Sequence, residues 1–200
     1  MKIEFADSFW KSLETLRRHD TWWYKTYHAI RYDIPRFLKN IWLFRKALWD
    51  YRWWDHTFML QFMGTSLDDM AHKTEKYGNE IEVSRIKKVD KMFRARLLIN
   101  NIIESNYLER AQNELGEIKN LNRWFDGVKD TPSERKHNDK VFKRSEELEE
   151  QEWNELFEIL KGQDRKQYSK FLKTFTLEEQ RKQDIWNKWF DGSGMKNWWD

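Results

Sequence analysis

The residues richest in chemical potential lie in one stretch, Trp49-Asp50-Tyr51-Arg52-Trp53-Trp54-Asp55-His56, which sets an imidazole, a guanidinium and carboxylates among indoles. His56 titrates near neutrality and suits acid–base work beside Asp55, with Arg52 to steady a developing negative charge. Arg52 can also grip a phosphate bidentately while Trp53 and Trp54 stack on a base. The plainer reading is mechanical: Asp forms turns, and aromatic pairs anchor the ends of helices. No Ser or Cys nucleophile motif and no phosphate-cradling glycine loop occurs in the chain, so the mechanical reading outweighs catalysis. No residue is assigned a catalytic role, and Arg52, Trp53, Trp54, Asp55 and His56 stand as ligand-binding candidates within an aromatic hinge.

Three further constellations are weaker. Asp68, Asp69 and His72 share one helix face at i, i+3 and i, i+4, but a helical two-metal site needs such a pair twice, with two further Glu residues. The residues near His137 supply no second copy, so no metal site is assigned. Glu146, Glu149, Glu152 and Glu155 repeat an ExxE spacing that could hold magnesium for nucleotide hydrolysis, yet that spacing is inevitable in an acidic helix and reads first as a solvated face. The basic patch Arg85, Lys87, Lys88, Lys91 and Arg94 offers phosphate contacts. If its helix folds back along the preceding one, the patch starts far from Trp54, because a helix rises ~1.5 Å per residue. Arg96 and Asn100 are then the expected neighbours of His56.

Length and composition bound the elements that must position these groups. Two hundred residues suffice for a sizeable core. With no cysteine, thiol chemistry, disulfides and thiolate metal centres are excluded. Thirteen Trp and thirteen Phe in a chain only 39% hydrophobic concentrate apolar mass in a few large side chains. Two prolines and seven glycines leave little punctuation, which favours helices over a sheet. Net charge is +3, too small to announce a nucleic-acid binder, though the chain is basic in front and acidic over 132–160. No apolar run reaches signal-peptide or membrane-spanning length, so an unexported protein with no membrane partner and no cofactor is expected.

Periodicity and capping signals predict a mostly α fold: an aromatic-rich helical bundle over 1–116, a linker over 117–131, and a helical C-terminal extension over 132–200 packing on the bundle. A first helix follows Asp7 or Ser8. The next closes at Ile34, and Pro35 opens a third that runs to Trp49, since proline suits a first turn. A long helix to Tyr77 has the stripe Met59, Met63, Leu67, Met70 and Tyr77. Ser84 is the expected cap of a helix to Glu104 whose inner face is Ile86, Val89, Phe93, Leu97 and Asn100. Tyr107–Leu115, Pro132–Lys161 and 163–175 are further helices; the first half of the acidic one is expected to project into solvent or form a coiled coil. Thr176 with Glu179 reads as the capping box of the last helix. Gly192-Ser193-Gly194 reads as a flexible tail.

The runs Ile41-Trp42-Leu43-Phe44-Arg45-Lys46-Ala47-Leu48-Trp49 and Arg52-Trp53-Trp54-Asp55 resemble a group of uncharacterised proteins encoded by tailed bacteriophages. So do Ser84-Arg85-Ile86-Lys87-Lys88-Val89-Asp90-Lys91-Met92 and the Trp198-Trp199-Asp200 terminus. The resemblance implies a phage origin and a place in the host bacterial cytoplasm or the virion; it brings no mechanism. The expected function is a non-enzymatic binding or interaction protein. Its partner would be a host protein or a phosphate-bearing ligand, nucleotide or nucleic acid, met through Trp/Arg surfaces. The alternatives are a virion or assembly component that forms homo-oligomers and a metal-dependent nucleotide hydrolase.

Overall fold

A computed structural model describes residues 22–52, 54, 55, 57–119, 131–176 and 182–198. Every regular element among them is helical. The expected helix after Asp7 and the Glu179 half of a capping box lie outside the described residues. The chain divides into two compact units between Tyr51 and Arg52, inside the aromatic stretch.

The described part of the first unit is helix α1 (Trp22–His28), a π-helical turn (Ala29–Asp33) and helix α2 (Ile34–Trp49). The expected break before Pro35 is absent: His28, Asp33 and Ile34 all keep right-handed helical dihedrals. Proline in an α-helix clashes with the carbonyl four residues back. Here the wider π turn intervenes, with the Ile34 N–H donating five residues back to the Ala29 carbonyl. The chain therefore absorbs the proline without stopping the helix.

The second unit holds α3 (Thr57–Tyr77), α4 (Glu82–Glu104), α5 (Tyr107–Leu115), α6 (Pro132–Lys161), α7 (Arg165–Leu172), α8 (Lys182–Trp189) and a short 3-10 turn (Met195–Asn197). Helices α3 and α4 form an antiparallel hairpin, since Arg85 reaches the Gly78 carbonyl while Ile99 lies against Gly64. The buried positions of α3 are Leu60, Gly64, Leu67 and Ala71, one residue along from the expected methionine stripe at most positions; Met59 and Tyr77 are exposed. Gly64 and Ala71 are small, and α4 closes onto them.

In α4 the correction is larger. The buried set is Ser84, Lys88, Met92, Ala95, Leu98, Ile99 and Ile102 with Val89, while Ile86 and Leu97 face water. At ~100° per residue, most of that set lies about half a turn from the expected face. Both sides of α4 carry large apolar residues, so periodicity alone could not choose; α3 and α6, which pack against it, did. Ser84 does not cap the helix. It sits inside the first turn, and its hydroxyl bonds the Asn187 side-chain oxygen at 2.6 Å.

Helix α6 begins at Pro132 behind a full capping box, Thr131 with Glu134. Its first half packs on α5 instead of projecting: Val141, with Leu148 just past the midpoint, buries against Tyr107 and Ala111. Its second half adds Leu156 and Ile159 to the main core with Leu60, Leu67, Met92 and Ile99. The tail is packed as well. Gly192, at φ 90°, runs so close to the Lys87 carbonyl that a Cβ would collide with it. Gly194 donates to the Ile159 carbonyl at 2.8 Å, satisfying part of the open end of α6. Trp198 is buried, and its indole N–H donates to the Gly192 carbonyl at 2.8 Å.

Candidate functional site

The stretch at the unit boundary behaves as a turn and a cap. The Asp55 N–H donates to the Arg52 carbonyl at 3.0 Å, and Asp55 Oδ1 accepts from the Thr57 N–H at 2.9 Å, at the head of α3. Trp54 is 68% exposed. Trp53 and His56 lie outside the described residues. Arg96 donates to Asn100 on its own helix, at the level of Gly64. That level is about two turns, or ~10 Å, along α3 from Thr57.

The basic patch is largely spent inside the second unit. Arg85 reaches the Gly78 carbonyl. Lys87 Nζ donates to the carbonyls of Asn187 at 2.7 Å and Phe190 at 2.8 Å, placing a cation where the last carbonyls of α8 are unpaired. Lys88 is buried and paired with Glu80, its ammonium over the Phe190 ring. Arg94 grips Glu155 with two bonds of 2.7 Å. Those bonds, aided by the guanidinium charge, hold the Glu155 carboxyl below its ordinary 4.5. Lys91 alone keeps only a long contact, 3.9 Å to Asp191.

Carboxylates with metal-like spacing are also engaged. Asp69 pairs with Lys73, and His72 Nδ1 bonds the Asp68 carbonyl at 2.8 Å while its ring meets Phe93 edge-on. That carbonyl, and then the Asp68 charge, raise the His72 pKa. Glu152 is buried and accepts from Asn101 at 3.1 Å, Tyr107 at 3.0 Å and Arg110 at 2.8 Å, tying α4 and α5 to α6. Among the described residues no group of three or more His, Asp or Glu is placed to hold a metal ion.

Two surfaces remain that sequence reasoning did not single out. One is a cleft of about 790 Å³ where the end of α6, the start of α7, Lys91 of α4 and the packed tail converge. Gly162, at φ 70°, ends α6 there, and a Cβ on it would strike Gly194. Arg165 and Lys196 line the cleft and pair with no carboxylate among the described residues. Glu158, Asp164 and Asp191 line it too, so its charge is mixed.

The other surface is on α2. Its buried residue is Ala47, with Leu43 and Phe44 half-buried, while Ile34, Phe37, Leu38, Ile41, Trp42, Leu48 and Trp49 face outward. Phe37 is 62%, Trp42 68% and Trp49 87% exposed. The outward residues cover a sector of about 140°, wider than the stripe an ordinary surface helix turns inward. Arg45 lies within that sector, its guanidinium 4.2 Å from the Trp42 ring centre. Residues 34–49 contain Arg36, Lys39, Arg45 and Lys46 and no acid. The stripe was visible in the sequence as spacing; its outward direction was not. No described helix is long and apolar enough to cross a membrane. Comparison with protein-family models, with curated proteins and with solved structures finds no match to this chain.

Proposed function

We propose that this is a non-enzymatic binding protein whose working surface is the outward face of α2. The observation that carries the reading is the exposure of Phe37, Ile41, Trp42, Leu48 and Trp49 on a helix with four cations and no acid. Exposed contiguous apolar surface costs solubility and marks interaction sites. Trp and Arg are the side chains most enriched where binding energy concentrates. The resemblance to tailed-phage proteins makes an infected bacterial cell the setting. A photo-crosslinking residue at Ile41 should give protein or lipid adducts in unfractionated bacterial extract that the same residue at exposed Glu150 does not. Equal adducts, or none, at both positions would remove the proposal.

A second reading has its own observation. Arg165 and Lys196, which pair with no carboxylate among the described residues, suit the cleft, beside the loosely held Lys91, to a phosphate-bearing ligand. Calorimetry with ATP and with a short polynucleotide tests this. Binding should be lost in the Arg165→Ala/Lys196→Ala variant, and no heat at millimolar ligand rules the cleft out.

A further inference from the structure

We infer that the outward face of α2 docks on an anionic lipid surface, the helix lying in the plane of the headgroups; this rests on the reading of that face as the binding surface. The first support is the pattern itself. A helix that lies in a membrane interface carries Trp, Phe and Leu on one face, Lys and Arg elsewhere, and low overall hydrophobicity. In α2 the aromatic and aliphatic sector holds Phe37, Ile41, Trp42, Leu48 and Trp49, and Lys39 and Lys46 run along one margin of it. Their stems can lie along the apolar surface while the ammonium groups reach the phosphates.

The second support comes from Arg45. It sits within the apolar sector, folded over Trp42, and its Nη1 donates to the Trp42 carbonyl at 2.7 Å. If the face closed against a second copy of itself, two guanidinium groups would be buried together. Residues 34–49 hold no carboxylate to pair with either; Asp33 at the head of the helix is already paired with Arg36, and Asp50 lies past its end. Buried charge without a partner is strongly unfavourable. An apolar groove on another protein meets the same objection unless it supplies an acid at that point. A phosphate-rich interface supplies counter-charge wherever the guanidinium falls, and an indole–guanidinium pair suits a depth that is half apolar and half wet.

The charge also fits lying over spanning. The helical run from Trp22 to Trp49 carries Lys25, Arg31, Arg36, Lys39, Arg45 and Lys46, and these cations oppose insertion into a hydrocarbon core. The expectation of no membrane partner was drawn from the lack of spanning segments, which does not bear on a helix that stays at the surface.

The test is co-sedimentation of the full chain with vesicles of phosphatidylglycerol and phosphatidylethanolamine, against vesicles of phosphatidylcholine alone, at low and high salt. Binding should occur only to the anionic vesicles and fall as salt rises. Lys39→Ala/Lys46→Ala should weaken it about fivefold per cation removed. Ile41→Asp/Leu48→Asp should abolish it while the helical circular dichroism and melting temperature stay as in the native chain. Equal binding to both vesicle types, or binding unaffected by Ile41→Asp/Leu48→Asp, overturns the inference. So does absence of vesicle binding together with a concentration-dependent dimer that Ile41→Asp/Leu48→Asp breaks; the face is then a self-association surface. Absence of vesicle binding with protein adducts from position 41 also overturns it, and leaves the binding-surface reading standing.

Discussion

Helices α2 and α4 contrast in pattern and in burial. α2 is sharply one-sided in sequence, yet of its sixteen residues the buried one is Ala47. α4 has no preferred side, yet it buries eight residues, among them Ser84 and Lys88. One-sidedness measures how strongly a helix wants a partner on one face. It does not say that the chain itself supplies that partner. A helix apolar on several sides is instead fitted for a central place, because neighbours can cover it from more than one direction. The same contrast governs polar groups. In the second unit Glu152 is buried with partners on α4 and α5, and Lys88 and Asn138 are buried with partners in the loops before α4 and after α5. In α2 the cations stay at the surface.

The contrast can be broken by matched substitutions. Leu98 is fully buried and Leu38 is 59% exposed. Leu98→Ala should cost about 2–5 kcal/mol in chemical denaturation, the usual range for emptying a core position. Leu38→Ala, the smallest effect anticipated, should stay within about 0.5 kcal/mol. A large loss at Leu38 would mean that α2 is covered in solution by the chain itself.

Next in size is Glu152→Ala. It leaves the Tyr107 hydroxyl, Arg110 and Asn101 without their shared acceptor, and should cost on the order of 3 kcal/mol. Melting curves of that variant beside the native chain check it, and an unchanged melting temperature would show that the cluster does not hold the helices together.

Two pH effects sharpen the comparison, because both belong to the second unit. Burial, then the bond to Glu152 and its negative charge, push the Tyr107 phenol above its ordinary 10.0. The unfolded chain therefore loses that proton at lower pH than the folded one. Stability should fall as pH rises past about 10, and Tyr107→Phe should remove that part of the slope. Glu155 shifts the opposite way: its contribution is present above about 4.5 and is lost as pH falls through its lowered folded value. Both partners of that pair are well exposed, so Glu155→Gln should flatten the acid limb by less than ~1 kcal/mol. Denaturation followed across pH reads both.

Local rules carried the helix limits where a backbone signal was strong. Pro132 behind Thr131 fixed the start of α6, and Gly116 fixed the end of α5, since each acts through its own dihedrals. The candidate site was less legible. Asp55 was readable as a turn residue, and its bond to the Thr57 N–H agrees with that. Lys87 and Lys88 resembled any exposed cations, because what occupies them comes from residue 80 and from residues 187–190. Arg165 and Lys196 are far apart in the chain and line one cleft where the close approach of Gly162 and Gly194 brings two segments together.

By itself, the sequence determined that the chain is helical, that its apolar mass sits in aromatic side chains, and that α2 is cationic and one-sided. Those properties follow from composition and from a period repeated along one element. Tertiary structure decided which side of α4 became core, that the glycine tail is packed, and that the apolar side of α2 faces outward. Each of those depends on whether a second element offers a surface that fits, and a single helix carries no record of its neighbours.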